Sequence, residues 1–130
     1  ILKSFKLVKE DHSDCVFGSR FIKGGEVTNY PQIKLLLNRI FNNYVKIRSS
    51  NNYNDFTNIF KTYSRNALEI IGPISSDGFS IGLEMSLKSF KKGLKIAVIP
   101  ISWKQRSAGK SKLRLRKNFK LYMQTFKENR

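Results

Sequence analysis

Residues 74–112 read ISSDGFSIGLEMSLKSFKKGLKIAVIPISWKQRSAGKSK, and the succession of helix, strand and basic loop in this stretch decides the fold. Phe79, Leu83, Leu87, Phe90 and Leu94 recur at helical spacing, which predicts a helix with that face buried and Glu84 just off it. Gly93 ends the helix. Beyond it Ile96 and Val98 point to one side of an extended segment, and Ala97, Ile99, Ile101 and Trp103 to the other. Pro100 marks the segment as an edge strand or a bulged one. Lys104 to Lys112 is a polar loop with three lysines, one arginine, one glycine and two serines. One carboxylate near several cations is an arrangement suited to a phosphorylated substrate.

The 130 residues fit a single α/β domain over 1–130, large enough for a real core. A hydrophobic content of 40% with ten Phe and five Tyr marks a folded chain. Cys15 is the single cysteine and has no partner for an internal disulfide. Its apolar setting, Cys15-Val16-Phe17, predicts a buried structural thiol in a reducing, cytoplasmic compartment. No apolar run approaches the roughly 20 residues that span a bilayer. The chain begins on Ile1 and shows no signal-peptide pattern, which suggests a fragment or a processed piece.

The net charge of +16 is concentrated at one end. From Lys88 to Arg130 there are fourteen Lys or Arg against the one acidic Glu128; from Ile1 to Leu87 there are eleven against eight. Nucleic acid, anionic lipid headgroups and phosphorylated small molecules would all be drawn to the C-terminal third, whose simplest reading is a solvated lysine-rich surface.

Upstream, Ile1, Leu2, Phe5 and Val8 read as an amphipathic helix ending near Asp11-His12-Ser13-Asp14. Residues 14–17 read as a short buried strand with Gly18-Ser19-Arg20 at its C-terminal end, where ligands collect in open α/β sheets. Arg20 stands there either to meet an anion or as a salt-bridge partner. Residues 23–25 read as a flexible loop. Ile33, Leu36, Leu37, Ile40, Phe41 and Tyr44 follow a helical period, giving a helix from Pro31 to Arg48. Residues 49–54 read as a loop outside the core. A helix from Ser64 to Ile71 ends at Gly72-Pro73, and Ser75, Ser76 or Asp77 is placed to cap the next one. Phe119, Tyr122, Met123 and Phe126 form the apolar stripe of a last helix, with Lys117, Lys120 and Lys127 off it. That helix packs on the domain or lies on an anionic membrane surface, and its narrow stripe favours packing.

Several familiar chemistries fail on these residues. Gly109-Lys110-Ser111 is no phosphate-binding P-loop, since the position needing glycine is Lys104. One histidine, His12, and one cysteine build no zinc site and no nucleophilic triad. The aromatics sit in core stripes and form no stacking ladder, which weakens a specific RNA-binding reading. Asp55 and Glu84 remain. Each is suited to act as a general base or to orient a partner; equally, Glu84 is placed to pair with Lys88 at i, i+4, and Asp55 to serve a turn or cap.

Four segments in order carry a resemblance: VFGSRF at 16–21, NDFTNIFKTYSR at 54–65, GFSIGLEM at 78–85 and GLKIAVIPISWKQRSAGKSK at 93–112. Together they resemble the C-terminal half of family-two glycosyltransferases of the dolichyl-phosphate mannosyltransferase and bacterial cell-envelope type. The resemblance implies the acceptor-side half of a GT-A fold, without the N-terminal nucleotide-binding strands. It implies an inverting transfer from a nucleotide-sugar to a polyprenyl phosphate or another envelope acceptor, at the cytoplasmic membrane face. It places Arg20, Arg106, Ser111 and Lys112 on phosphates of donor or acceptor, Asp55 near the acceptor as a candidate base, and Glu84 in support from its helix. Lys61 departs from the arginine of many relatives and loses the bidentate fork. The Asp-x-Asp motif that would hold Mg or Mn is not in these residues, so no metal or other cofactor is expected on this chain, and the chain alone is expected to be inactive. A halved sheet with an apolar edge would self-associate. The competing reading is a small basic module that binds nucleic acid or an anionic membrane.

Overall fold

The computed structural model describes residues 2–10, 12–104 and 115–130. In chain order its elements are α1 (Leu2–Glu10), β1 (Cys15–Ser19), β2 (Glu26–Thr28), α2 (Gln32–Arg48), β3 (Lys61–Tyr63), α3 (Arg65–Ile71), a 3₁₀ turn (Gly78–Ser80), α4 (Ile81–Lys91), β4 (Ile96–Pro100), β5 (Ser102–Lys104) and α5 (Leu115–Asn129). The mixed α/β expectation holds. The strands are more numerous and shorter than the pattern predicts, and they form two small sheets.

Strand β1 is buried along its whole length. It pairs antiparallel with β3 on one side and parallel with β4 on the other, with Phe17 opposite both Lys61 and Val98. Strand β4 has β1 as its sheet partner and lies at the edge of the order β3-β1-β4, which explains why it tolerates Pro100. The extended segment predicted to continue to Trp103 instead changes sheets at Ile101. The Ile101 N–H donates to the Ser19 carbonyl at 3.0 Å, and the Ile101 carbonyl accepts from Glu26 N–H at 3.1 Å. Beyond that crossing point β5 pairs with β2 in parallel. Residues 23–25, expected to be a loose loop, make a closed turn from Ile22 to Gly25 that feeds β2.

The core forms around Phe17, whose ring lies 5.3 Å from Tyr53, 5.6 Å from Tyr63 and 6.0 Å from Phe90. Leu83 and Leu87 of α4 and Phe126 of α5 close it, with Tyr122 and Met123 packed against its edge. The last helix therefore packs on the domain. Two expectations need correction. Tyr53 is buried although residues 49–54 form a loop, because its hydroxyl donates to the Gly18 carbonyl at 2.8 Å and its ring fills the space beside Phe17. Phe79 is exposed in the 3₁₀ turn, while Glu84 is wholly buried instead of lying just off the buried face.

Helix α2 forms where the periodicity placed it, but its stripe is turned outward. Ile33, Leu36, Ile40 and Ile47 are exposed, and Phe41, Asn42 and Val45 are buried. On the buried side, with Phe41 and Val45 in the core, the Asn42 amide donates to the Asn38 carbonyl and to Thr57, and its oxygen accepts from Thr57 N–H. Those bonds fix the helix on the 53–58 loop by a polar side chain, and the aliphatic positions are left on the far side. Helix α1 behaves alike, with Leu2 and Phe5 exposed and Ser4 its buried residue. No described helix is long and apolar enough to cross a membrane.

Candidate functional site

The chain leaves β1 at Ser19 and immediately meets the loop 53–58. Ser19 Oγ donates to Asn54 Oδ1 at 2.7 Å, Asn54 Nδ2 donates to the Phe21 carbonyl at 3.1 Å, and Asn58 Nδ2 donates to the Gly18 carbonyl at 2.9 Å. Short amides that bond the backbone of another segment tie down a loop that has no regular structure of its own. Its central residue is Asp55. The Arg20 side chain meets it as a fork, Nε to Oδ2 at 2.9 Å and Nη2 to Oδ1 at 2.6 Å, and the Arg20 backbone N–H adds a third bond to Oδ2 at 3.0 Å. Asp55 is fully buried and the Arg20 side chain is 8% exposed, so this is an ion pair of the strong, charge-assisted kind. Burial alone would lower the Arg20 pKa, but its bonds to Asp55 outweigh that and raise it.

Two further groups stand beside the pair. Gly25 folds back on it so closely that a Cβ there would stand 2.8 Å from the Arg20 carbonyl carbon and oxygen, which only glycine avoids. Lys61 points its ammonium at the carbonyls of Phe56 and Asn58 and lies beside the rings of Phe17 and Tyr53. Burial pulls its pKa down to about 7, with Asp55 opposing and Arg20 reinforcing the fall. Outside, the Arg39 guanidinium stacks on Phe21 at 4.2 Å, and Arg20 approaches the same ring at 5.1 Å. Arg39 and the asparagines were not singled out from the sequence. The clustering of Asn51, Asn54 and Asn58 around Asp55 is the signal that would have found the loop.

Glu84 stands elsewhere. Its carboxylate accepts from Ser75 N–H at 3.1 Å, Ser75 Oγ at 3.2 Å and Ser76 N–H at 2.7 Å, and pairs with Lys88 at 2.6 Å. Burial pushes its pKa up, but the bonds from Lys88, Ser76 and Ser75 win and bring it to about 2. Lys88 also donates to the Pro73 carbonyl at 2.6 Å, and Ser76 bonds Thr125 of α5. Residues 75 and 76 therefore deliver their N–H groups to the Glu84 side chain, the reverse of the capping expected of them. Gly82, two residues before Glu84 and so about 200° around the helix, is the position that approaches the Asn58 carbonyl and Lys61. The structure thus brings Arg20 and Asp55 together and puts Glu84 on the other flank of α4. Arg106, Ser111 and Lys112 lie outside the described residues.

Among the described residues no group of three His, Cys, Asp or Glu is placed to hold a metal ion. With both Asp55 oxygens on Arg20 and both Glu84 oxygens on Lys88 and the serines, these residues do not fit the Mg or Mn that the resemblance implies for a longer enzyme.

A cavity of about 300 Å³ opens between α2 and α5. Leu37, Phe41, Phe119 and Tyr122 give it apolar walls, and Lys34 and Arg116 lie among its lining residues. Tyr30 is also among its lining residues, and burial lifts the hydroxyl of Tyr122 to about 12.

No protein-family model matches the chain. Among curated proteins it is similar to the polyprenol monophosphomannose synthase of Mycolicibacterium smegmatis and to the undecaprenyl-phosphate mannosyltransferase of Micrococcus luteus, each 28% identical over 103 residues. Either alignment takes in 78% of this chain but 39% and 42%, respectively, of those proteins. The chain spans about two-fifths of the length of these relatives. The resemblance read from the four motifs is borne out by these two proteins.

Proposed function

We propose that this chain is the acceptor-side part of a GT-A glycosyltransferase that moves a sugar from a nucleotide donor to a polyprenyl phosphate, with inversion at the transferred carbon. The observation that carries the reading is the buried Arg20–Asp55 fork at the C-terminal end of β1, beside an asparagine loop bonded to that strand end and to Phe21. The names of the two relatives supply the chemistry of acceptor and sugar. In this reading Asp55 holds the Arg20 guanidinium in place until a phosphate arrives. An arriving phosphate competes for the same fork. Whatever hold it takes on Arg20 loosens Asp55, so that acceptor binding and the release of a carboxylate able to orient or deprotonate the acceptor are one event. Arg106, Ser111 and Lys112 add charge for the departing diphosphate. Glu84 acts from a distance, by holding residues 75–76 and through them α5. Donor and metal sites belong to a nucleotide-binding half, and the chain by itself turns nothing over.

The test uses the longer protein containing this chain and follows transfer of mannose from a nucleotide-linked donor to undecaprenyl phosphate. Asp55→Asn and Arg20→Lys are each expected to lower kcat/KM by about a hundredfold or more, the scale of losing one preorganised electrostatic contact. Transfer by both variants within threefold of the parent would overturn the reading.

A further inference from the structure

The cavity between α2 and α5 does not hold the ion pair, and its chemistry differs from that of the Arg20–Asp55 site. Its four apolar walls come from Leu37 and Phe41 on one helix and Phe119 and Tyr122 on the other. Phe41 faces the rings of Phe119 and Tyr122 at 6.0 and 5.4 Å, so the floor of the cavity is a set aromatic surface. Its polar lining is selective in sign. Lys34 and Arg116 contribute cations, and no carboxylate is among the lining residues. Arg116 and Asn118 stand in the first turn of α5, where the positive end of a helix adds to the cations. The Asn118 Nδ2 is buried without a hydrogen-bond partner among the described residues, a donor left waiting for an acceptor. A greasy chamber with a buried amide donor and a positive rim suits a molecule with an apolar body and an anionic head.

We infer that this cavity seats the phosphate-proximal prenyl units of a lipid phosphate, with Lys34, Arg116 and Asn118 facing the head and Leu37, Phe41, Phe119 and Tyr122 enclosing the hydrocarbon. The inference rests on the proposed function and adds where the acceptor's chain is read. Size limits what is recognised. An apolar cavity of about 150 Å³ takes up a benzene ring, so the 300 Å³ here accommodates about two prenyl units, or about ten carbons, and the remainder of a polyprenyl tail lies outside.

Binding to the purified chain is measured by calorimetry for inorganic phosphate, prenyl phosphate and geranyl phosphate, which share the head and differ in hydrocarbon. Geranyl phosphate is expected to bind at least about tenfold more tightly than prenyl phosphate, since the second unit adds about five carbons of buried surface. Leu37→Asn and Phe119→Asn alter half-exposed side chains and leave the fold in place, as thermal unfolding checks; each is expected to reduce the chain-length preference to under threefold. Lys34→Ala is expected to weaken both lipid phosphates equally. A tenfold preference that survives both pocket variants overturns the inference while leaving the proposed function standing, because the lipid then binds elsewhere on the chain. Indifference to chain length in the parent also overturns it, whereas the proposed function stands or falls on the transfer assay.

Discussion

Replacing Glu84 by Gln is the sharpest test of how this fold is held. The carboxylate is fully buried, accepts three hydrogen bonds from Ser75 and Ser76, and pairs with Lys88 at 2.6 Å. Its pKa falls from 4.5 to about 2. At about 1.4 kcal/mol for each tenfold in proton affinity, that gap corresponds to about 3 kcal/mol of stability as an upper figure. The sign follows from which state binds the proton. Between pH of about 4.5 and about 2 the unfolded chain is protonated at this position and the folded one is not, so the contribution is complete above the unfolded value and is lost as pH falls through the folded one. The glutamine keeps the size but has no charge, and its NH₂ faces donors, which adds about 1–3 kcal/mol for groups left unpaired. The expected result is a variant less stable than the parent by a few kcal/mol at neutral pH, with the difference shrinking toward pH 2. Urea midpoints taken from pH 7 to pH 2 measure it, and the other carboxylates cancel in the difference. Stability curves for parent and variant that run parallel across this range would refute the reasoning.

Asp55→Asn leaves a buried guanidinium without its counter-charge, and a loss of about 3–5 kcal/mol is expected on urea unfolding. Arg20→Met combined with Asp55→Leu removes both charges and should cost less than Asp55→Asn alone; an additive double variant would show that the fork is not the coupling. The outward aliphatic face of α2, with Ile33, Leu36, Ile40 and Ile47 between 56% and 75% exposed, should make the chain self-associate at high concentration, since apolar surface of this extent seeks cover. Leu36→Lys with Ile40→Lys should return it to a monomer by light scattering, and a parent that is monomeric throughout would count against the expectation.

What the sequence disclosed follows from which interactions are local. The positions of α2, α3, α4, β1 and β4 depend on periodicity, on glycine and proline stops and on a five-residue buried strand, all visible within a short window. Which way a helix faces depends on partners far along the chain. For α2 the buried face combines Phe41 and Val45 with Asn42, which bonds Thr57, and an apolar count along the helix gives no weight to an asparagine. The same blindness hid the loop 53–58, whose order comes from side-chain amides bonded to Gly18 and Phe21 carbonyls. The motif resemblance located Arg20 and Asp55 but not the fork between them.

Spacing treated Asp55 and Glu84 alike, as carboxylates among cations, and the fold separates them by the partners it gives each. Glu84 found the i, i+4 lysine that the sequence already offered, together with two serine N–H groups that leave its oxygens committed. A side chain so bound holds a turn. The Asp55 side chain bonds Arg20, brought from 35 positions away, and that partner is itself a phosphate-binding type of side chain. In the proposed function a phosphate competes for that ion pair, a role that the turn held by Glu84 does not offer. Under the proposed function the two carboxylates therefore differ in whether a phosphate is able to replace the group each one holds, and on that ground Asp55 is the one whose substitution tests the proposal.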